Sequence, residues 1–223
     1  MEILFCIIVV LLYSCCRKRK KMQQIGMQIP KTYAPREMNK KKEAFYRANT
    51  DVLDGMEICA TLQFSTCLVC GVMDGRRYGF NERVPQLPLH DGCRCVLLPV
   101  TPLSDYTKSS RPAEMVPVAY FAEQRYDAGN HKKKFAELAK NTQKKYYLAE
   151  EKILMQQGTK VWQQFNGNYC QWFATLPQKY QKIIVGSERF RLMKKHNLNI
   201  ADFVDIKNFR EYTIEEIERR LQL

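Results

Sequence analysis

The sequence lacks the short motifs that mark the common enzyme classes. It has no G-x-S-x-G nucleophile elbow, no glycine-rich loop that cradles a phosphate, and no H-E-x-x-H helix of a zinc protease. The H-x-E and P-C-x-x-C pair of the zinc deaminases is also missing, because His90 is followed by Asp91 and Gly92. From these absences we predict a protein that is not an enzyme and that takes no small-molecule substrate.

Acidic residues are few relative to basic ones. The 223 residues include 36 lysines and arginines but 23 aspartates and glutamates, which gives a formal net charge of +13. Such an excess favours contact with nucleic acid, an anionic membrane surface or an acidic protein. Part of the charge lies in runs at 17–21, 40–42 and 132–134, although scattered lysines that only keep a surface soluble give a similar total. Aromatic residues do not interleave these runs as they do in a platform that binds single strands, so the runs do not specify which anionic partner is bound.

No apolar run reaches the length of a standard membrane helix. Residues 3–13 are wholly apolar, but even with residues 14–16 the run is short of the roughly 20 residues that comfortably span a bilayer. The basic residues that follow would keep the rest of the chain in the cytoplasm. Residues 1–21 are therefore predicted either to anchor the chain in a membrane through residues 3–16, facing the cytoplasm, or to be an atypical start of a soluble domain.

Cysteines cluster in one stretch of the chain. Four of the nine cysteines and one of the three histidines lie between Cys67 and Cys95. Cys67 and Cys70 form a C-x2-C pair, and Cys93 and Cys95 follow, with His90 three residues before Cys93. A C-x2-C turn presents two thiolates to one cation, and a second pair from a distant segment completes a tetrahedron. This spacing predicts a structural Zn²⁺ site that closes the intervening residues into a loop.

Five candidate ligands compete for about four positions in a structural zinc site. Cys67, Cys70 and Cys93 are the first three, and the fourth is either His90 or Cys95. In an extended chain, residues 93 and 95 project to the same face, so both thiols can bind and His90 would then lie beside the site. The alternatives are a pair of disulfides or free buried thiols, but the sequence shows no ordinary secretory context that would favour disulfides.

Two acids in this loop, Asp74 and Glu82, are placed to act if the site belongs to a zinc-dependent hydrolase or nuclease. A hydrolytic zinc needs an open coordination position, however, and this loop offers more ligands than a closed site requires. The structural alternative is that both acids pair with arginines of the same loop. Those arginines are Arg76, Arg77 and Arg83.

The residue pattern predicts an α+β fold, in which a small sheet carries the Cys/His metal-binding loop and a helical C-terminal region follows. We divide the chain into the hydrophobic segment 1–21, a linker at 22–42, a zinc-stapled α+β domain at 43–105, a second linker at 106–130 and the helical region 131–223. The linkers are assigned from prolines and glycines that occur without apolar periodicity.

Apolar periodicity predicts the individual elements. Helices are expected over 42–54, 132–157 and 161–176, and strands over 56–64 and 95–100. Aromatic residues at helical spacing in 161–176 predict a core face, and they are Trp162, Phe165, Tyr169, Trp172 and Phe173. Ser187 is expected to cap a later helix, and Thr213 with Glu216 forms a capping-box pattern before the last one.

Three ordered blocks of the sequence resemble the phage head morphogenesis family, the minor head proteins related to the F protein of phage Mu. The first block runs from Glu57 through the C-x2-C pair to the Asp74-Gly75-Arg76-x-Tyr78 turn, and the second is Pro88-Leu-His90-Asp-Gly-Cys93-Arg-Cys95. The third lies between Tyr169 and Ile217 and includes Trp172, Leu176-Pro177, Asp202-Phe203-Val204 and Tyr212-Thr213-Ile214. The sequence departs from the family at Phe64, where many relatives have an acid, and at the N-terminus, where the apolar segment replaces a longer helical region.

The resemblance implies a structural role. Members of this family are minor capsid components that act beside the portal during head assembly, and some are linked to DNA handling. It therefore implies portal, capsid or scaffold proteins as partners, non-specific contact with DNA, and a location in the virion or the host cytoplasm. Two alternatives are a membrane-anchored, cytoplasm-facing zinc module with a host or effector role and, less favoured, a zinc-dependent hydrolase or nuclease.

Overall fold

The computed structural model of the chain describes residues 35–102, 110–129 and 131–222. The chain divides into two units, one at 1–38, of which 35–38 are described, and one at 39–223. The predicted apolar segment 1–21 and most of the predicted linker 22–42 lie outside the described residues. In the part of the chain that is described, no helix combines the length and the apolar character needed to cross a membrane.

The first half of the described chain forms a three-stranded antiparallel sheet beside two helices. Its elements are α1 (Pro35–Arg47), β1 (Gly55–Cys59), α2 (Leu68–Met73), β2 (Arg77–Tyr78) and β3 (Val96–Val100). The strand order is β2-β1-β3, so β1 is central. The register places Ile58 opposite Leu97 and Met56 opposite Tyr78. The long connection between β2 and β3 leaves one edge of the sheet and returns at the other edge, on the opposite side of β1.

The second half is mostly helical and adds two small two-stranded sheets. Its strands are β4 (Arg111–Glu114), β5 (Trp162–Phe165), β6 (Val204–Asp205) and β7 (Arg210–Glu211). Its α-helices are α3 (Val118–Asp127), α4 (Lys140–Gln156), α5 (Tyr169–Thr175), α6 (Gln178–Val185), α7 (Ser187–His196) and α8 (Ile214–Leu221), with short 3₁₀ turns at Phe135–Glu137 and Ile200–Phe203. The predicted α+β fold with helices toward the C-terminus is confirmed.

Residues 106–130 are not the loose linker that the sequence predicts. They contain β4 and α3, and β4 pairs antiparallel with β5. The prediction failed because β4 is short, has no apolar alternation and includes Pro112, which lacks an N–H group and is tolerated in a small edge sheet. Its pairing partner lies about 50 residues away, so no local pattern announces the strand.

Several other predicted boundaries are wrong. The helix expected at 161–176 is instead β5 followed by α5, because Gly167 has a φ of +147° and Asn168 starts the helix with a capping box. Helix α1 lies at Pro35–Arg47 rather than 42–54, β1 ends at Cys59 rather than 64, and α4 begins at Lys140 rather than 132. Gly186, not Ser187, precedes α7 as its cap.

Other local predictions are confirmed. The strand predicted at 95–100 is β3, and Thr213 with Glu216 forms the capping box of α8. The aromatic residues at 161–176 mostly form core, since Tyr169 and Trp172 are fully buried and Phe173 is nearly so. Trp162 is the exception at 40% exposed, because it lies on β5 and not on a helix.

Two hydrophobic clusters hold the described chain together. The first joins α2 to the C-terminal helices, with Leu68 and Val69 packed in one cluster with Trp172 and Phe203. The second lies against β1, where alternation sends Met56 and Ile58 to one face and packs them with Cys70, Met73 and Leu97. Because α2 contributes to both clusters, the helix that carries the C-x2-C pair is fixed from two sides.

A buried ion pair connects these two halves. Asp74 directly follows α2, and its fully buried carboxylate pairs with Arg111 of β4. Its Oδ1 also accepts the backbone N–H of Ala60 at 2.7 Å, and its Oδ2 accepts that of Tyr169 at 2.7 Å. Arg111 in turn donates to the carbonyl oxygens of Ala60 and Gly167, both at 2.9 Å. One carboxylate thus joins the end of β1, α2, β4 and the start of α5.

We expect Arg111→Met to lower the free energy of unfolding by about 3–5 kcal/mol, because it leaves a carboxylate buried without its cation. Denaturant unfolding at neutral pH measures this change. Arg210→Gln is the matched control, since Arg210 is 45% exposed and pairs with Glu216 at the surface, where ion pairs contribute little. Equal, small losses in both variants would contradict the central role of the buried pair.

Candidate metal centre

The C-x2-C pair lies at the N-terminus of α2. Cys67 is the N-cap residue, and its Sγ accepts the backbone N–H of Cys70 at 3.4 Å. The preceding residue is held in place from both sides, because the Thr66 hydroxyl donates to Thr61 O at 2.8 Å and the Thr66 carbonyl accepts from the Tyr169 hydroxyl at 3.3 Å. The knuckle that presents the two thiols is therefore fixed by its own backbone and by the buried Tyr169.

The second pair of cysteines comes from the connection that enters β3. Cys93 N–H donates to the His90 carbonyl at 3.1 Å, which closes a tight turn, and Cys95 directly precedes the first residue of β3. Arg94 lies between the two cysteines and donates from Nη2 to Ser65 Oγ at 2.7 Å. This bond ties the second pair to the knuckle of the first.

The structure brings all five predicted ligands together. His90 Nε2 lies 3.0 Å from Cys67 Sγ and 3.1 Å from Cys70 Sγ, and Cys70 Sγ lies 3.6 Å from Cys93 Sγ. Cys67, Cys70 and His90 form one group of mutually close donor atoms, and Cys70, Cys93 and Cys95 form another. Two thiolates on one tetrahedral zinc are separated by about 3.8 Å, given Zn–S bonds of about 2.3 Å. The Cys70–Cys93 distance is close to that value.

The tautomer of His90 suits coordination through Nε2. Its Nδ1 lies 2.8 Å from the carbonyl oxygen of Asp91, and because a carbonyl can only accept, Nδ1 carries the proton. In the neutral ring Nε2 then has a free lone pair, and it faces Cys67 and Cys70. A backbone carbonyl that fixes the tautomer in this way is a regular feature around metal-binding histidines.

Hydrogen bonding among the thiols separates their pKa values. The hydrogen bond with Cys70 lowers the pKa of Cys67 to about 6, and hydrogen bonds with Cys70 and Cys95 lower the pKa of Cys93. Cys70 has its pKa raised, because its thiol is the donor to Cys67. The hydrogen bond with Cys70 lowers the pKa of Cys95, but donation to Cys93 and burial outweigh it, so that pKa is raised. The pKa values of Cys67 and Cys93 are therefore lowered, and those of Cys70 and Cys95 raised, within one cluster.

The pKa of His90 is also shifted by its neighbours in the cluster. Burial lowers its pKa, but the hydrogen bond to the Asp91 carbonyl and the charges of Cys67 and Cys93 outweigh this effect, so the pKa is raised. The cluster thus favours a positive charge at its centre. Thiolate and imidazole donors are the set that zinc and other soft or borderline cations prefer, and these Cys/His groups can bind a metal ion.

A cavity of about 170 Å³ lies beside the cluster. All five predicted ligands line it, together with polar residues of the two segments, which are Thr61, Ser65, Thr66, Asp91 and Arg94. Cys70 and Cys95 are buried, whereas His90 is exposed. The cluster is therefore reachable from solvent on the His90 side.

The two acids considered as catalytic groups have structural roles. Asp74 pairs with Arg111 and not with Arg76, Arg77 or Arg83, so that expectation was wrong. Arg77 pairs with the fully buried Glu57 at 2.8 Å. Glu82 accepts the N–H of Gly79 at 2.7 Å through Oε2. Sequence reasoning could not find Arg111, because it lies 37 residues from Asp74 in a strand without a recognisable pattern.

No family model matches the chain, and no curated protein or solved structure matches it.

A substitution at Gly71 tests how closely α2, which carries the C-x2-C pair, packs against Tyr169. Gly71 lies within α2, where alanine is favoured by about 1 kcal/mol over glycine. A Cβ at this position would overlap the buried Tyr169 ring, so we expect Gly71→Ala to lower the free energy of unfolding by about 1–3 kcal/mol. Thermal or denaturant unfolding measures the change.

Gly79→Ala is the matched control, because the nearest atom to its new Cβ is Glu82 Oε2 at 3.9 Å. It should leave stability almost unchanged. A Gly71→Ala variant that is more stable than the wild type would show that Tyr169 yields and that helix propensity outweighs the overlap.

Proposed function

We propose that the Cys/His cluster holds one structural Zn²⁺. The observation that carries this proposal is the convergence of Cys67, Cys70, His90, Cys93 and Cys95 from two segments about 20 residues apart. The donor atoms of the first four lie 3.0–3.6 Å from a neighbouring donor atom, and Cys95 is grouped with Cys70 and Cys93. Since a structural zinc takes four ligands, Cys67, Cys70 and Cys93 would bind together with either His90 or Cys95. When bound, the ion would supply folding free energy.

The chain's own residues explain what such a site would stabilise. The segment between Cys70 and Cys93 contains one short strand, β2, and returns to β3 through turns. Its ends are held by the C-x2-C knuckle and by the Arg94–Ser65 hydrogen bond. A cation shared by both ends would fix this loop as one rigid surface, and its loss would release the loop first.

We infer a structural role rather than a catalytic one. Asp74 is paired with Arg111, and neither Asp74 nor Glu82 is among the residues that line the cavity beside the cluster. The cluster also offers more ligands than a closed site requires. Both observations support a metal that stabilises the fold.

We further propose that the protein is a minor head protein that acts in phage head morphogenesis near the portal. The support is the order of three sequence blocks, namely the C-x2-C pair with its Asp74 turn, the His90-x2-Cys93-x-Cys95 block, and the C-terminal block around Trp172 and Phe203. Residues of all three blocks pack together, since Leu68, Trp172 and Phe203 share one core. Leu89 of the second block packs against this core, and Asp74 accepts the N–H of Tyr169. A shared structural unit explains why the blocks would occur together.

The metal is tested on the full chain. We expect about one zinc per chain by elemental mass spectrometry, loss of that zinc in Cys67→Ser and Cys93→Ser, and a lower unfolding temperature after chelation. Cys170→Ser is the matched control, because Cys170 is a free cysteine of α5 outside the cluster. A chain without metal, with its cluster cysteines in disulfides, would contradict the proposal.

The fourth ligand is tested by comparing His90→Ala with Cys95→Ser. Because a four-coordinate site needs one of these two residues, one variant should lose zinc and the other should keep it.

The head-assembly role is tested by binding to phage portal, capsid and scaffold proteins. We expect capture of one of them by the wild type and by Cys170→Ser, and weaker capture by Cys67→Ser, because the loop that the metal fixes would be part of the docking surface. Zinc-loaded, folded protein that captures none of these partners would contradict the assembly role and leave the metal centre intact.

A further inference from the structure

Two cysteines of the Cys/His cluster lie in contact across the two segments that form it. Cys70 Sγ lies 3.6 Å from Cys93 Sγ, and the two residues are 23 positions apart. The S–S bond of a disulfide is about 2.05 Å long, so a shift of about 1.5 Å would join these sulfur atoms. The pair therefore has a second use besides metal binding, namely a covalent bond between the same two segments.

Contacts that do not involve the thiols hold both cysteines in this position. Cys70 is buried in α2, which packs in both hydrophobic clusters. The N–H of Cys93 donates to the His90 carbonyl at 3.1 Å, and the next residue, Arg94, donates to Ser65 Oγ at 2.7 Å. Because Ser65 lies two residues before the C-x2-C pair, the Arg94 bond joins the two segments independently of the thiols.

Cys67 is arranged differently around Cys70. Its Sγ accepts the backbone N–H of Cys70 at 3.4 Å and lies 3.0 Å from Nε2 of His90. A disulfide between Cys67 and Cys70 would disturb both contacts, including the cap of α2. A disulfide between Cys70 and Cys93 leaves them in place. We therefore expect the bond across the two segments to form in preference to a bond within the C-x2-C pair.

A small oxidant can reach Cys93 from solvent. Cys93 is half-buried and lines the cavity of about 170 Å³ beside the cluster, on which the exposed His90 also borders. Cys70 lines the same cavity but is only 3% exposed. Because oxidation of a thiol follows its accessibility, Cys93 is placed to react first, and Cys70 is the neighbouring thiol that reacts next.

We propose that Cys70 and Cys93 form a disulfide when the cluster meets hydrogen peroxide, and that this bond replaces the zinc in closing the loop at 71–92. The Cys93 thiolate attacks one oxygen of the peroxide, the O–O bond breaks, and the hydroxide that leaves takes up a proton to form water. The Cys70 thiolate then attacks the sulfenic sulfur of Cys93, the S–O bond breaks, and a second water forms in the same way. Two thiols are oxidised, and one peroxide is reduced to two waters.

The exchange rests on the proposed zinc site, because the disulfide removes two of the thiolate ligands that a four-coordinate zinc needs, and the ion then leaves. The disulfide joins the same two segments that the ion joins. The loop at 71–92 therefore stays closed in the oxidised protein. Removal of the ion by chelation under reducing conditions releases the loop instead, since neither link is then present.

The experiment treats the reduced, zinc-loaded full chain with hydrogen peroxide. Released zinc is measured with a chromogenic chelator, free thiols are counted by alkylation, and the disulfide is located by mass spectrometry of tryptic peptides. Trypsin separates Cys93, in the peptide 84–94, from Cys95, and it places Cys70 in the peptide 48–76. Fragmentation of the linked peptides identifies the bonded cysteines.

We expect release of about one zinc and loss of about two free thiols per chain, with the two peptides linked through Cys70 and Cys93. Limited trypsin cleavage after the exposed Arg83 should be slow in the zinc-loaded and the oxidised protein, and fast after chelation under reducing conditions. A disulfide within the C-x2-C pair would overturn the proposal. So would cleavage after Arg83 that is equally fast in the oxidised and the chelated protein.

A variant of Arg94 tests what positions the two thiols. Arg94→Ala removes the bond to Ser65, so peroxide should give a smaller share of chains linked through Cys70 and Cys93. Arg83→Ala is the matched control, because Arg83 is an exposed arginine of the same loop, and it should leave that share unchanged. Equal shares in the two variants would contradict the role of the Arg94 bond.

Failure of the zinc proposal is distinguishable from failure of the disulfide proposal. If the purified chain binds no zinc, the zinc proposal fails, and peroxide treatment of the reduced chain still decides whether Cys70 and Cys93 become linked. If zinc binds and peroxide releases it without this link, the zinc proposal stands and the disulfide proposal is overturned.

Discussion

The buried carboxylate of Asp74 is the constraint on which most of this fold depends. It follows the helix that carries Cys67 and Cys70, and it reaches Arg111 of β4 and the N–H that opens α5. Removing such a charge from water costs several kcal/mol, which these bonds must offset together. A partial set of them would leave a buried charge uncompensated. The pair therefore couples the cysteine knuckle to residues about 40 and 95 positions later in the chain.

The Cys/His cluster lies directly on this framework. Asp74 lies at the C-terminal end of α2, and Cys67 and Cys70 lie at its N-terminal end. The same helix therefore fixes the positions of the carboxylate and of the two thiols. Tyr169 contributes to both ends, since its N–H bonds Asp74 and its hydroxyl bonds the Thr66 carbonyl. A metal at this cluster would add to a structure that packing and hydrogen bonds already hold in place. The side of the cluster at His90 is polar and would remain open to solvent.

Arginines and lysines are used differently in this strongly basic chain. Arg77, Arg111 and Arg125 each pair with a carboxylate that is buried, which suits a planar guanidinium that can donate in several directions. The lysines between 132 and 145 face solvent without such partners. Buried carboxylates are thus paired with arginines, whereas these lysines lie at the surface.

Features that depend on short spacing can be predicted from the sequence. The C-x2-C pair, the His90 to Cys95 block, strand β3, the capping box at Thr213 and the burial of Tyr169 and Trp172 follow from local patterns, because helix periodicity and turn chemistry act over a few residues. The pairing of Asp74 with Arg111 and the pairing of 111–114 with 162–165 as strands depend on the tertiary structure. Those features arise from residues far apart in the chain, whose proximity depends on the packing of the whole core.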